Sequence, residues 1–327
     1  MTMTQNDRRS FGFYASVSST LLAVTSFAVI VWAQNGPAPE GAMKGGGKKA
    51  FSGKSSDTDT SPYDKHDFNG LWSRNPRQFK MEPCPECGDN GQAPGYGFFG
   101  DIPPRTSAGE KKFALNKPGR GYELNSKEAN AHPEVDIGLR RAVFPALGND
   151  PEGRCEPLGL MRNIAFSGGG ASMDVIQVKD RIVQQFEWTW DNRDIWLDGR
   201  PIPNVDDYLP RYNGYSVGKW EGDTLVMTST GFDDRQWVDQ FGYPISDKAV
   251  LEERWQRPSK NRLQVDMTLT DPAMYARPWH ASRKVWVLVP KENMSIGGWS
   301  GLVEDRCIPT DESFFNRFRD HAAGKPF

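Results

Sequence analysis

Beyond Gly170 the chain is a series of short runs whose apolar residues recur at every second position, parted by turn residues and not by helical segments. In Ile182–Trp190, Ile182, Phe186, Trp188 and Trp190 share one parity while Gln185, Glu187 and Thr189 share the other, which predicts a strand buried on one face. Comparable runs lie at Met173–Lys179, Arg193–Leu197, Tyr215–Trp220, Thr224–Thr230, Val250–Gln256, Arg262–Thr270 and Arg283–Val289. Lys179-Asp180-Arg181, Asp198-Gly199, Glu221-Gly222-Asp223 and Pro258-Ser259-Lys260-Asn261 mark the turns. Short turns join antiparallel neighbours, because parallel ones need crossovers of roughly a dozen residues. About eight such strands hide their edges most economically by closing. The predicted fold is therefore mainly β: an antiparallel meander over 171–290 closing into a lipocalin-like barrel.

The flanks are different. Residues 67–170 read as loop-rich, consistent with 33 Gly and 24 Pro in 327 residues. They include a strand beginning at Gly70-Leu71-Trp72, a helix from about Ala108 to Leu115 capped by Ser107, and a further turn capped by Ser126. A helix over 310–323, capped by Thr310 and carrying Phe314, Phe315 and Phe318, is expected to pack against or across a barrel mouth. Residues 67–327 thus form a single β-rich domain.

Ahead of it, Arg8 and Arg9 precede an uncharged run from Phe11 to Trp32, and Val31-Trp32-Ala33 suits cleavage before Gln34. Residues 1–33 are expected to be an export signal, Sec or twin-arginine, or an uncleaved anchor, since 11–32 is long enough to span a bilayer at ~1.5 Å per residue. Residues 34–66, rich in Gly, Ser, Lys and Asp, read as a flexible tether with a reach of about 30 Å. The expected location is periplasmic or extracellular, with possible attachment to the inner membrane.

The four cysteines agree with an oxidising compartment and predict two structural disulfides, Cys84–Cys87 and Cys155–Cys307. Only one CxxC exists, so no zinc site is expected; Gly88 follows it where c-type haem attachment needs His, and no cofactor is indicated. A net charge of −2 argues against nucleic acid as partner.

Chemistry-bearing candidates are few. Glu253 shares parity with Leu251 and Trp255, and the partner run turns Leu263, Val265, Met267 and Leu269 the same way. A carboxyl on that face has its charged form disfavoured unless a cation joins it, which suits a general acid. His280, in Pro278-Trp279-His280, is the candidate proton-transfer assistant. Gly214-Tyr215-Ser216-Val217-Gly218 spells a nucleophile elbow but runs into a hairpin, so Ser216 reads as a strand residue. Ser167-Gly168-Gly169-Gly170 lacks the Lys and helix of a phosphate cradle and reads as a flexible loop. The indoles are the strongest collective signal among 11 Trp: Trp188, Trp190, Trp220, Trp255 and Trp286 are the candidate walls of an apolar pocket.

The strings Asp67-Phe68-Asn69-Gly70-Leu71-Trp72, Cys155-Glu156-Pro157-Leu158-Gly159, Asp198-Gly199-Arg200, Thr270-Asp271-Pro272 and Ser216-Val217-Gly218-Lys219-Trp220-Glu221-Gly222-Asp223-Thr224-Leu225-Val226 together resemble a family of exported bacterial proteins. The resemblance spans about Asp67 to Cys307 and implies export but no particular reaction. The Cys84/Cys87 insertion and the long tether depart from the family pattern. Gly70 and Trp72 ahead of a meander add a weaker similarity to lipocalin-like barrels. Three functions follow as expectations: a barrel binding an apolar or aromatic small molecule, an accessory subunit of a membrane complex on the periplasmic side, or a lyase, isomerase or hydrolase using Glu253 with His280.

Overall fold

Alternation at period two leaves each strand with one face to bury, and the chain does so by closing nine strands on themselves. The computed structural model describes residues 59–74, 97–98, 100, 102–118, 122–123, 141–142, 148–165, 172–188, 190–291, 301–302 and 307, all within the unit Gly53–Phe327. In chain order the elements are β1 (Gly70–Ser73), α1 (Ser107–Leu115), β2 (Tyr122–Glu123), β3 (Arg141–Ala142), α2 (Leu160–Ala165), β4 (Ser172–Val178), β5 (Arg181–Phe186), β6 (Asn192–Trp196), β7 (Tyr215–Glu221), β8 (Thr224–Thr230), β9 (Val250–Ser259), β10 (Arg262–Thr270), β11 (Trp279–His280) and β12 (Lys284–Leu288).

The sheet runs β10-β12-β1-β4-β5-β6-β7-β8-β9 and returns to β10, which pairs with both β9 and β12, so the barrel is closed. β11 is an appendage on the far half of β10, and β2 pairs only with β3. The ninth barrel strand is β1, seated between β12 and β4 with Trp72 opposite Leu288 and Met173.

One joint departs from the antiparallel expectation. β6 and β7 are parallel, Trp196 lying opposite Val217, which makes the barrel mixed. Gly199 turns with φ +80° as Asp198-Gly199 suggested, but the turn opens a crossover through 197–214 and closes no hairpin. Such a crossover is what a parallel neighbour requires. By contrast Gly222, at φ +59°, makes the tight β7–β8 hairpin in the expected place.

The interior is one apolar cluster that includes Trp72, Met173, Ile182, Phe186, Ile195, Leu225, Met227, Leu251, Trp255, Leu263, Val265 and Trp286. Its two ends are stoppered differently. At the end bearing the β4–β5, β7–β8 and β9–β10 turns, residues 59–69 cross as a strap. Phe68 is buried there, its ring edge-on to Trp220 at 5.2 Å, while His66 lies 4.3 Å from the same indole. Gln177 clamps the strap by accepting from the Phe68 N–H and donating to the His66 carbonyl, and Tyr63 donates to the Pro258 carbonyl. The end of the expected tether is thus laid against the barrel.

The opposite end is covered by a cap made of residues 231–249, α1 and α2. Phe113 of α1 stacks on Tyr243 at 5.1 Å, and Arg74 donates to the Ile164 and Ala165 carbonyls at the end of α2. Thr106, one residue ahead of the expected cap, accepts from the Gly109 N–H and starts α1. The half-buried Cys155–Cys307 disulfide is present, with a Cα separation of 5.2 Å. Cys84, Cys87, Ser126, the 167–170 loop, the 310–323 helix and the 1–33 segment lie outside the described residues. Among the described residues, no helix is long and apolar enough to cross a membrane.

Candidate functional site

Strand parity decides where each candidate points. Glu253 does face inward and is fully buried, but it does not stand alone. Arg193, from β6, donates through Nη1 and Nη2 to the two Glu253 oxygens, and the Trp255 indole N–H donates to Glu253 Oε1 at 3.0 Å. Arg193 also reaches Ser216 Oγ (2.9 Å), Gln184 Oε1 (3.1 Å) and Ser229 Oγ (2.8 Å). Every nitrogen of this guanidinium and both oxygens of the carboxylate are thus hydrogen-bonded inside the core. The expected general acid is one half of a compensated ion pair, sealed from any substrate. Ser216, the residue set aside as a nucleophile, is a strand residue that holds this pair.

His280 cannot assist it. His280 pairs across from Thr268 on the outer face of β10, its Nδ1 3.0 Å from Thr268 Oγ1, whereas Glu253 pairs across from the inward-facing Met267. A one-residue difference in parity puts them on opposite sides of the wall.

The five indoles do not form one wall either. Trp255 and Trp286 lie in the core, ring centres 6.5 Å apart, with no surface a water molecule could touch; no water-sized void borders them. Trp220 is half-buried under the strap. β5 stops at Phe186, and Trp190 takes a left-handed φ of +57° that turns the chain toward β6. The parity counted through Trp188 and Trp190 therefore lapses: Trp188 packs beside Leu158, apart from the main core, and Trp190 sits in the turn. An internal Trp-lined pocket is not what the indoles build.

A second buried polar cluster lies under the cap. Arg162 of α2 holds Asp150 through two bonds, at 2.6 and 3.0 Å, and Glu152 at 2.6 Å. Burial opposes its charge, yet those two carboxylates keep the guanidinium above its ordinary range. Asp239, fully buried in 231–249, accepts the Phe98 and Phe241 N–H groups, each at 3.0 Å. Burial raises its carboxyl to about 6, against the pull of those two amides and of Arg162 and Lys284. Lys284 is equally buried, and its ammonium donates to the Gly97 carbonyl (2.8 Å) and Ser282 Oγ (2.6 Å). Trp279 closes the cluster with Phe98, Tyr243 and Tyr275 around its ring at 5.0, 4.9 and 5.2 Å.

Unlike the interior pair, the cap keeps unused bonding capacity. The Trp279 indole N–H and the Gln236 carbonyl oxygen are buried there without a hydrogen-bond partner; in the core, so is the Trp286 indole N–H. Each such group costs about 1–3 kcal/mol. A carboxyl near neutrality beside buried cations and unmatched polar groups is the composition that marks functional sites.

Sequence reasoning missed Asp239 and Lys284. Lys284 has the inward parity of Trp286, the same signal that singled out Glu253, and could have been found that way. Asp239 sits in no regular element, so no periodicity reports it. Among the described residues no group of His, Cys, Asp and Glu is arranged to hold a metal. Compared with known proteins, the chain matches no protein-family model, no curated protein and no solved structure.

Proposed function

We propose that this is an exported β-barrel protein that binds a small aromatic molecule, and that the site is the cap end, around Trp279, Asp239 and Lys284. The observation that carries the reading is the contrast between the two polar clusters. In the barrel interior every hydrogen bond of Arg193 and Glu253 is made, whereas beneath the cap the Trp279 N–H and the Gln236 carbonyl oxygen are left over. An aromatic ligand bearing acceptor oxygens matches that set: its ring suits the Trp279 cluster and its oxygens suit the Trp279 N–H and Lys284. Export rests on the leader-like residues 1–33.

The test uses Trp→Phe changes, which keep an aromatic ring, though a smaller one, and remove the N–H. Ligands are found by thermal shift with aromatic acids and amides. Trp279→Phe should weaken binding about 5-fold, the value of one neutral hydrogen bond. Trp190→Phe and Trp220→Phe should leave it unchanged. The reverse pattern places the site elsewhere.

A second reading, an accessory subunit of a membrane complex, is favoured by the 197–214 crossover, where Leu209 is 83% exposed beside an exposed Tyr208. Leu209→Asp should then release the protein from its native membrane complex without altering its melting temperature; co-migration unchanged on native gels sinks that reading.

A further inference from the structure

The Gly97–Phe98 segment is held in an unusual way. The Gly97 carbonyl accepts from the Lys284 ammonium at 2.8 Å, and the Phe98 N–H of the same peptide group donates to Asp239 Oδ2 at 3.0 Å. One peptide unit is therefore gripped at its two ends by opposite charges from remote parts of the chain. The next carbonyl, that of Phe98, accepts from the Ser282 N–H at 3.2 Å. The Phe98 side chain is fully buried, edge-on to Trp279 at 5.0 Å, and Tyr243 and Tyr275 flank the same indole.

Those contacts read every feature of a peptide residue. A carboxylate takes its N–H, an ammonium takes the preceding carbonyl, a backbone amide takes its own carbonyl, and an aromatic cluster takes its ring. Asp239 also accepts the Phe241 N–H and Lys284 also donates to Ser282 Oγ, but stability alone does not call for a buried charge at each end of one neutral peptide group, since burying charge is costly and uncharged partners would serve. We infer that the Asp239–Lys284–Trp279 cluster is a recognition site for an aromatic residue in a peptide segment, occupied in this structure by the chain's own Gly97–Phe98. This rests on the cap-end site proposed above and names its ligand class. The partner is a polypeptide presenting Phe, Tyr or Trp, which enters by displacing the internal occupant. That occupant competes at an effective concentration on the order of millimolar, so the intact protein binds such a peptide weakly.

The experiment titrates acetyl-Gly-Phe-amide and acetyl-Gly-Ala-amide into the full chain, wild type and Phe98→Ala, following intrinsic Trp fluorescence. Phe98→Ala should bind the Phe peptide at least 10-fold more tightly than wild type does and prefer it at least 10-fold over the Ala peptide. Adding Lys284→Met should abolish the gain. In wild type, millimolar Phe peptide should speed hydrogen exchange at the Phe98 amide and leave the Trp255 amide unchanged, a readout that does not depend on how well the variants fold. Equal binding of the two peptides, or a Phe98 amide indifferent to the Phe peptide, overturns the inference. If Phe98→Ala binds the small aromatic acids but neither peptide, the cap site survives and only its peptide specificity falls. If it binds none of them, both fall.

Discussion

At the scale of single residues, the central consequence of the structure is that Glu253 and Arg193 must be considered as one unit. A buried charge stripped of its partner costs about 3–5 kcal/mol, whereas replacing both partners by apolar groups can be nearly neutral. Glu253→Gln or Arg193→Met alone should therefore lower urea stability by that amount, and Glu253→Leu with Arg193→Met should cost clearly less than the two single changes summed. Additive losses would mean that the two side chains do not act together. Asp239 makes a separate prediction. Its carboxyl rises from 3.8 to about 6 on folding, so the folded chain holds the proton more tightly. The associated stability is fully present below about pH 4 and is lost as pH rises through about 6, a span of about 3 kcal/mol. Asp239→Asn should remove that slope, so its urea midpoint falls less than wild type's between pH 4 and 6.5; parallel curves would contradict the assignment. The inward face of Glu253 was legible because strand parity reports direction. Its partner was not, because Arg193 reaches it from β6 across the barrel, and parity carries no information on what stands opposite.

At the scale of elements, alternation located all eight expected strands, and its errors fall where it was counted through a turn. Trp188 and Trp190 keep the period in the sequence, but the left-handed Trp190 ends the strand's geometry. The parallel β6–β7 joint was equally hidden: Asp198-Gly199 reports a turn, not which way the chain goes afterward. What did decide it is length, since 197–214 is far too long for a tight hairpin. The strap is the element most open to test. Phe68 is the ring it buries, and Phe68→Ala should cost about 3–5 kcal/mol by leaving a cavity beneath Trp220. Limited proteolysis should then cut within 59–69 before any barrel strand. Protection equal to wild type would show that the polar clamps at Gln177 and Tyr63 suffice without the ring.

At the scale of the whole molecule, the Cys155–Cys307 bond ties together residues 152 positions apart. A loop of that length restricts the unfolded chain enough to be worth about 5 kcal/mol on a chain-entropy argument. Cys155→Ser with Cys307→Ser should therefore lower the urea midpoint substantially, and reductant should do the same to the wild type but not to the double variant. The closing joint of the barrel has a related consequence for biogenesis. β1 is complete within the first quarter of the chain, yet one of its two neighbours is β12, near the far end. Until residues 284–288 emerge, β1 can pair only with β4 and the hoop stands open with bare edges on either side of the gap. Its clasp therefore shuts late, and the last barrel strand to be made sets the moment at which the ring is complete.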